Sequence, residues 1–171
     1  MKHPIATTHN GIPVYVDLVW SQAAARISRQ PHLLVLVKEL VERTSARSAE
    51  MHFERDMGRT IGYDQIVETS DTDAIVYAQF QRESIFARFV KNSKPSVTRY
   101  LTIKIRRDDE GSYELCNAWT GRLVPTRPGS DDEAETSRPY WTNHAFVLDE
   151  QLIQRRTLTK ICPYEVATER V

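Results

Sequence analysis

The residues of this 171-residue chain that can do chemistry are histidines, arginines, lysines, threonines and tyrosines. His52 is followed closely by Arg59 and Thr60, and His144 closes the run Tyr140-Trp141-Thr142-Asn143-His144. Arg88 and Lys91 sit among Phe86, Phe89 and Val90 and offer cations to a phosphate. Arg99, Tyr100, Thr102 and Lys104 lie close together in sequence, and Asn117 and Trp119 follow at alternate positions. This is the inventory of a metal-independent ribonuclease. The 2′-hydroxyl of RNA is its own nucleophile, so such an enzyme needs a base, an acid and cations for the phosphate. A histidine working near neutral pH supplies about 10²–10⁴-fold. Each of these residues also has a plainer reading. His52 is then a surface or hydrogen-bonded histidine, His144 part of an aromatic packing corner, Trp20 and Trp119 core, and the lysines and arginines the solvated face of a sheet.

Other chemistries lack their motifs. There is no Cys-x-x-Cys, His-Glu-x-x-His, calcium loop or Gly-x-x-x-x-Gly-Lys-Ser/Thr, and no Gly-x-Ser-x-Gly elbow. His3, His9 and His32 have no ligand-like neighbours either, so neither a metal nor a cofactor is expected. Cys116 and Cys162 are far apart and read as reduced thiols.

The elements that must position these residues are partly readable. Residues 1–11 read as an irregular arm and 12–18 as a short strand, with Asp17 as an alternative cap for a helix over 18–28. The clearest helix runs from Pro31 to Thr44, where Leu33, Leu36, Val37, Leu40 and Val41 form one apolar stripe. Strands follow at 51–54, 74–80 and 84–90, with Arg82 and Glu83 near the turn between the last two. The cleanest period of two spans Val97 to Arg106: Val97, Arg99, Leu101, Ile103 and Ile105 face one way, and Thr98, Tyr100, Thr102, Lys104 and Arg106 the other. Asp108-Asp109-Glu110-Gly111 reads as a hairpin turn returning into Tyr113–Trp119. Residues 124–139 form an acidic, proline-rich loop, 140–148 regain an aromatic texture, and 164–171 are a tail. The expectation is a single α+β domain, with N-terminal helices packed on an antiparallel sheet of four to five strands.

Composition narrows the function classes. Apolar residues are 40% and charged residues 27%, which excludes a mostly disordered chain. Net charge is zero, which excludes a uniformly basic nucleic-acid binder. That zero hides a segregation. From Arg82 to Arg107 there are eight basic residues against one acidic, and from Asp108 to Glu150 ten acidic against three basic. Basic strands with interleaved aromatics suit a phosphate backbone and unpaired bases. No apolar run is long enough to cross a bilayer and no secretory leader is visible, so the expectation is a cytoplasmic protein without a membrane partner.

From Gly58 to Gly121 the chain resembles the nuclease fold shared by barnase, EndoU, colicin-type RNases and RelE-like toxins. The resembling pieces are Gly58-Arg59-Thr60-Ile61-Gly62, Ala74-Ile75-Val76-Tyr77-Ala78, Arg88-Phe89-Val90-Lys91, Tyr100-Leu101-Thr102-Ile103 and Tyr113 to Gly121, with Trp141 to Phe146 beyond them. The resemblance is one of pattern and element order. It implies a metal-independent endoribonuclease, a toxin with a cognate antitoxin, acting on tRNA, mRNA or rRNA. By position it implies His52 as the early catalytic histidine, Arg59 and Arg88 as phosphate-binding cations, and Thr102 or Thr120 as the late hydroxyl. The candidate catalytic set is then His52, Arg59, Thr102 and His144; Arg88, Lys91, Arg99, Tyr100, Lys104 and Asn117 are the candidate RNA contacts. A non-catalytic RNA- or protein-binding module, including an immunity or antitoxin partner, is the competing reading.

Overall fold

The computed structural model describes residues 1–19, 21–79, 85–148 and 157–164. Trp20, Arg82, Glu83 and the tail beyond Tyr164 lie outside them. The chain divides into two compact units, Met1–Tyr63 with Val97–Leu123, and Asp64–Ser96 with Val124–Val171. The class is α+β, with three helices, two five-stranded sheets and one two-stranded ladder among the described residues.

The first unit holds β1 (Lys2–Thr7), β2 (Pro13–Asp17), α1 (Gln22–Arg29), α2 (His32–Glu42), β3 (Glu50–Asp56), β9 (Tyr100–Arg107) and β10 (Tyr113–Thr120). Its sheet runs β1-β2-β10-β9-β3. All neighbours are antiparallel except β2 and β10, which pair in parallel at Tyr113↔Val14 and Glu114↔Tyr15. The arm expected at 1–11 is in part a strand, because β2 supplies the ladder that Lys2–Thr7 lacks by itself. α1 starts at Ser21, whose hydroxyl accepts from the Ala23 amide. α2 opens after Pro31, and its stripe of Leu33, Leu36, Val37, Leu40 and Val41 is buried against Leu101, Ile103, Ile105 and Leu115. Full burial of each such side chain stabilises by about 1.5–3 kcal/mol. Met51 and Phe53 of β3 join this core, so Glu50, His52 and Glu54 lie on the opposite face.

The second unit holds β5 (Ile66–Glu68), β6 (Ile75–Gln79), β7 (Phe86–Val90), α3 (Ser137–Asn143), β11 (His144–Val147) and β12 (Thr157–Thr159), in sheet order β12-β6-β7-β11-β5. Here β7 and β11 are parallel. The expectation of one sheet is corrected at this point. β6 and β7 do not extend the first sheet; Val76, Ala78, Ala87 and Phe89 build their own core with Phe146 and Leu148. The loop expected over 124–139 gives way to α3 from Ser137. Trp141 of that helix is 2% exposed, and its Nε1 donates to the carbonyls of Pro125 and Thr126, which ties the preceding segment down. A short ladder of β4 (Gly62–Asp64) and β8 (Ser96–Thr98) completes the structure. No helix among the described residues is long and apolar enough to cross a membrane.

Candidate functional site

The face of the first sheet opposite its core is polar, and strand register determines what meets there. His52 pairs with Lys104, and Lys104 with Asn117, so the three form one row across β3, β9 and β10. The next row is Glu54, Thr102 and Trp119, and the one on the other side brings Glu50, Arg106 and Glu114 together. Directly paired residues in a sheet share a face. β10 reaches this arrangement through a bulge between Leu115 and Asn117. A regular strand alternating from the buried Tyr113 and Leu115 would turn Asn117 inward. The extra residue, Cys116, re-aims Asn117 and Trp119 outward while Ala118 stays in the core. β2 pairs with β10 only as far as Glu114, and Ser21 Oγ takes over beyond it, donating to the Leu115 carbonyl at 2.9 Å. Gln22 then accepts from Asn117 Nδ2 at 3.0 Å and fixes the amide.

The segment after β10 folds back over the same face. Gly121 has a φ of 130°, a conformation that favours glycine. Its amide donates to the Tyr100 carbonyl, and its own carbonyl accepts from Thr102 Oγ1 at 2.8 Å. Arg122 then lies over the Tyr100 ring, with its guanidinium carbon 3.6 Å from the centroid. Its Nη1 donates to Glu54 Oε1 at 2.8 Å, and the Leu123 amide donates to Glu54 Oε2. Trp119 Nε1 donates to the Arg122 carbonyl. The result is a wall of two aromatic rings and a guanidinium plane beside the row of His52, Lys104 and Asn117.

Electrostatically the face is paired rather than basic. Glu50 Oε1 lies 2.9 Å from Lys104 Nζ and 3.2 Å from His52 Nε2, so one carboxylate bridges the two. The hydrogen bond from Lys104 holds the Glu50 carboxyl below its usual range, outweighing partial burial. Arg106 pairs with Glu114 at 3.5 Å. The Cys116 thiol beside them is pushed up by burial, which keeps it protonated and poorly nucleophilic.

The expected site residues are therefore distributed. His52, Lys104, Asn117 and Tyr100 meet on this face. Thr102 lies under it, fully buried, with its hydroxyl committed to the Gly121 carbonyl. Arg99 is held by Asp56 at 2.6 Å. Arg59 forks onto Glu39 of α2, so its guanidinium sits with the helices rather than on the polar face. Arg88, Lys91 and His144 belong to the second unit. His144 stacks on Tyr140 at 3.9 Å between ring centroids, and its Nδ1 is 2.9 Å from the Tyr140 carbonyl. A carbonyl only accepts, so Nδ1 carries the proton. His144 is thus built into an aromatic corner with Trp141 and Phe146. Lys91 is exposed at the end of β7. Among the described residues no group of three His, Cys, Asp or Glu side chains is placed to hold a metal ion.

Sequence reasoning missed Glu50, Glu54 and Arg122. Glu50 was within reach, because two residues along a strand return to the same face. Arg122 lies beyond the strand, in a fold-back that has no local signature. No family model matches the chain, and no curated protein or solved structure matches it.

Proposed function

We propose that the polar face of the first sheet cleaves RNA without a metal, by attack of the 2′-hydroxyl on the adjacent phosphate. One observation carries this reading: His52, Lys104 and Asn117 stand in a single cross-strand row, with Glu50 between the histidine and the lysine. Glu50, held as a carboxylate, takes the 2′-hydroxyl proton. His52, when protonated, returns one to the leaving 5′-oxygen. Lys104 swings from Glu50 to the phosphate as negative charge builds on it. Asn117, fixed by Gln22, donates to a phosphate oxygen or a base edge. Trp119 and the guanidinium plane of Arg122 offer stacking surface to unpaired bases. The same reading takes the chain as a toxin whose antitoxin covers this face with acidic side chains.

The second reading is RNA binding without cleavage. It is favoured by the pairing of Lys104, Arg106 and Arg122 with Glu50, Glu114 and Glu54, which leaves the face near neutrality. The test is incubation of the purified protein with total RNA and tRNA in EDTA, beside His52→Ala and Glu50→Gln. Cleavage by wild type that drops by about 10²–10⁴-fold in folded His52→Ala supports the proposal. Intact RNA after wild-type treatment, with retained binding, selects the second reading.

A further inference from the structure

The polar face of the first sheet does not end at Asn117. Gln22 of α1 accepts from Asn117 Nδ2 at 3.0 Å, so the row of His52, Lys104 and Asn117 continues onto that helix. Arg26 follows Gln22 by four residues and Arg29 follows Arg26 by three, which puts all three on one stripe of α1. The stripe is exposed, and Ala23, Ala24 and Ile27 turn the opposite side of the helix to the core. Along the axis Arg26 lies about 6 Å beyond Gln22, and Arg29 about 10 Å beyond it. All of these residues belong to the first unit.

No carboxylate balances the stripe. From Leu18 to Lys38 the sequence has no Asp or Glu. The carboxylates that bound this stretch are engaged elsewhere. Asp17 holds the N-terminal ammonium and the Val19 amide, and Glu39 holds Arg43 and Arg59. The surrounding protein, and after it the charge of Arg29, lower the Arg26 guanidinium from its usual range. Arg26 stays protonated even so. Two like charges in one stripe repel, and an anion between them relieves both. The last turn of a helix favours cations in general, but that preference asks for no alignment with Gln22.

We propose that the Arg26–Arg29 stripe of α1 is a binding track for single-stranded RNA that crosses the polar face, each guanidinium taking one backbone phosphate beyond the row of His52, Lys104 and Asn117. The inference rests on RNA lying on that face, whether or not it is cut there. Charge complementarity selects the occupant. On the face itself Lys104, Arg106 and Arg122 are each held by a carboxylate, which a phosphate must displace. On α1 no carboxylate stands in the way, and a guanidinium fork suits a phosphate. A single strand fits because bases stacked on Trp119 and the Arg122 plane must be unpaired, and a duplex hides their faces. The ligand is thus an oligonucleotide long enough to span both elements, not a dinucleotide.

The test is fluorescence anisotropy of the full chain with a labelled single-stranded RNA decamer across a salt series. His52→Ala is the background, so that no cleavage intervenes. Adding Arg26→Gln with Arg29→Gln should weaken decamer binding at least several-fold. It should also flatten the log–log salt slope by about 1.4, at roughly 0.7 counterions per lost contact. Arg26→Lys with Arg29→Lys keeps both charges and should keep the slope. Arg29→Gln alone, with about half the change in slope, decides the matter if the Gln pair does not fold. Binding that the Gln pair leaves unchanged, while Lys104→Met weakens it, overturns the track and spares the reading of the face. A loss with the Gln pair but none with Lys104→Met overturns the continuity of the track with the face, and the proposal with it. No RNA binding by any form overturns both readings. A slope flattened as much by the Lys pair, equal binding of a duplex decamer, or equal competition by an oligoglutamate would also overturn the proposal.

Discussion

Glu50 is the residue on which the polar face turns, because one of its oxygens serves both Lys104 and His52. Lys104 is the largest cause of its lowered pKa. Lys104→Met should therefore raise the Glu50 pKa toward the ordinary carboxylate range, read directly by carboxyl-carbon NMR titration. The sign follows from linkage. A depressed carboxyl contributes stability above its unfolded pKa and loses it as pH falls through the folded value. Wild type thus keeps the Glu50 contribution to lower pH than the Met variant does, and an unmoved titration would dissociate the lysine from the carboxylate. Legibility at this scale was uneven. Alternation placed Thr102 on the polar face correctly, but it carries no information about what covers that face, and the Gly121 carbonyl claims the hydroxyl. Arg59 sits near His52 in sequence yet is drawn to Glu39 of α2, because ion pairs depend on spatial neighbours rather than sequence neighbours.

β10 carries one residue more than its facing pattern needs, Cys116. Deleting Cys116 removes the bulge and leaves Leu115 inward, Asn117 outward and Ala118 inward, so the register with β9 survives. Deleting Ala118 forces either Trp119 inward or Asn117 into the core, since a one-residue slip exchanges the two faces. Urea unfolding should therefore find the Cys116 deletion folded and the Ala118 deletion strongly destabilised or unfolded; equal losses would mean that the bulge does not determine facing. The sequence was most legible where periodicity is long. The alternation from Tyr100 to Arg106 matches β9, with Leu101, Ile103 and Ile105 in the core, and the α2 stripe matches its buried residues. Val97 and Arg99 break the pattern, because β8 ends at Thr98 and both side chains are exposed. β1 was missed because its pairing is its only support, and α3 because Pro128, Gly129 and Pro139 read as loop.

At the scale of the whole molecule, the basic run from Arg82 to Arg107 is divided between the two units. Arg88, Lys91 and Lys94 belong to the second unit, and Arg99, Lys104 and Arg106 to the first, each of these three paired with a carboxylate. Among the described residues, Lys104, Arg106 and Arg122 are the cations on the polar face. At roughly 0.7 counterions released per phosphate contact on a single strand, the affinity of an RNA short enough to stay on this face should vary with salt with a log–log slope no steeper than about −2. The eight cations of the run acting together would give roughly −6. Fluorescence anisotropy of the His52→Ala variant across a salt series distinguishes the two, and a steep slope would mean that cations beyond this face bind the strand. The division into two cores was not legible because hydrophobic alternation says that a strand is half-buried, not which sheet buries it.

β4 and β8 give that division a further meaning. The chain leaves the first unit at Tyr63 and rejoins it at Val97, and the two ends are stitched together where the Ile61 amide donates to the Thr98 carbonyl at 2.9 Å. Segments whose ends are clasped in this way tolerate changes in the length of what lies between them at little entropic cost. Residues 64–96 leave and re-enter the first unit at one place, but β5, β6 and β7 within them are held in register by β11 and β12. Changes in length are therefore expected to be tolerated in the turns between those strands and not within them.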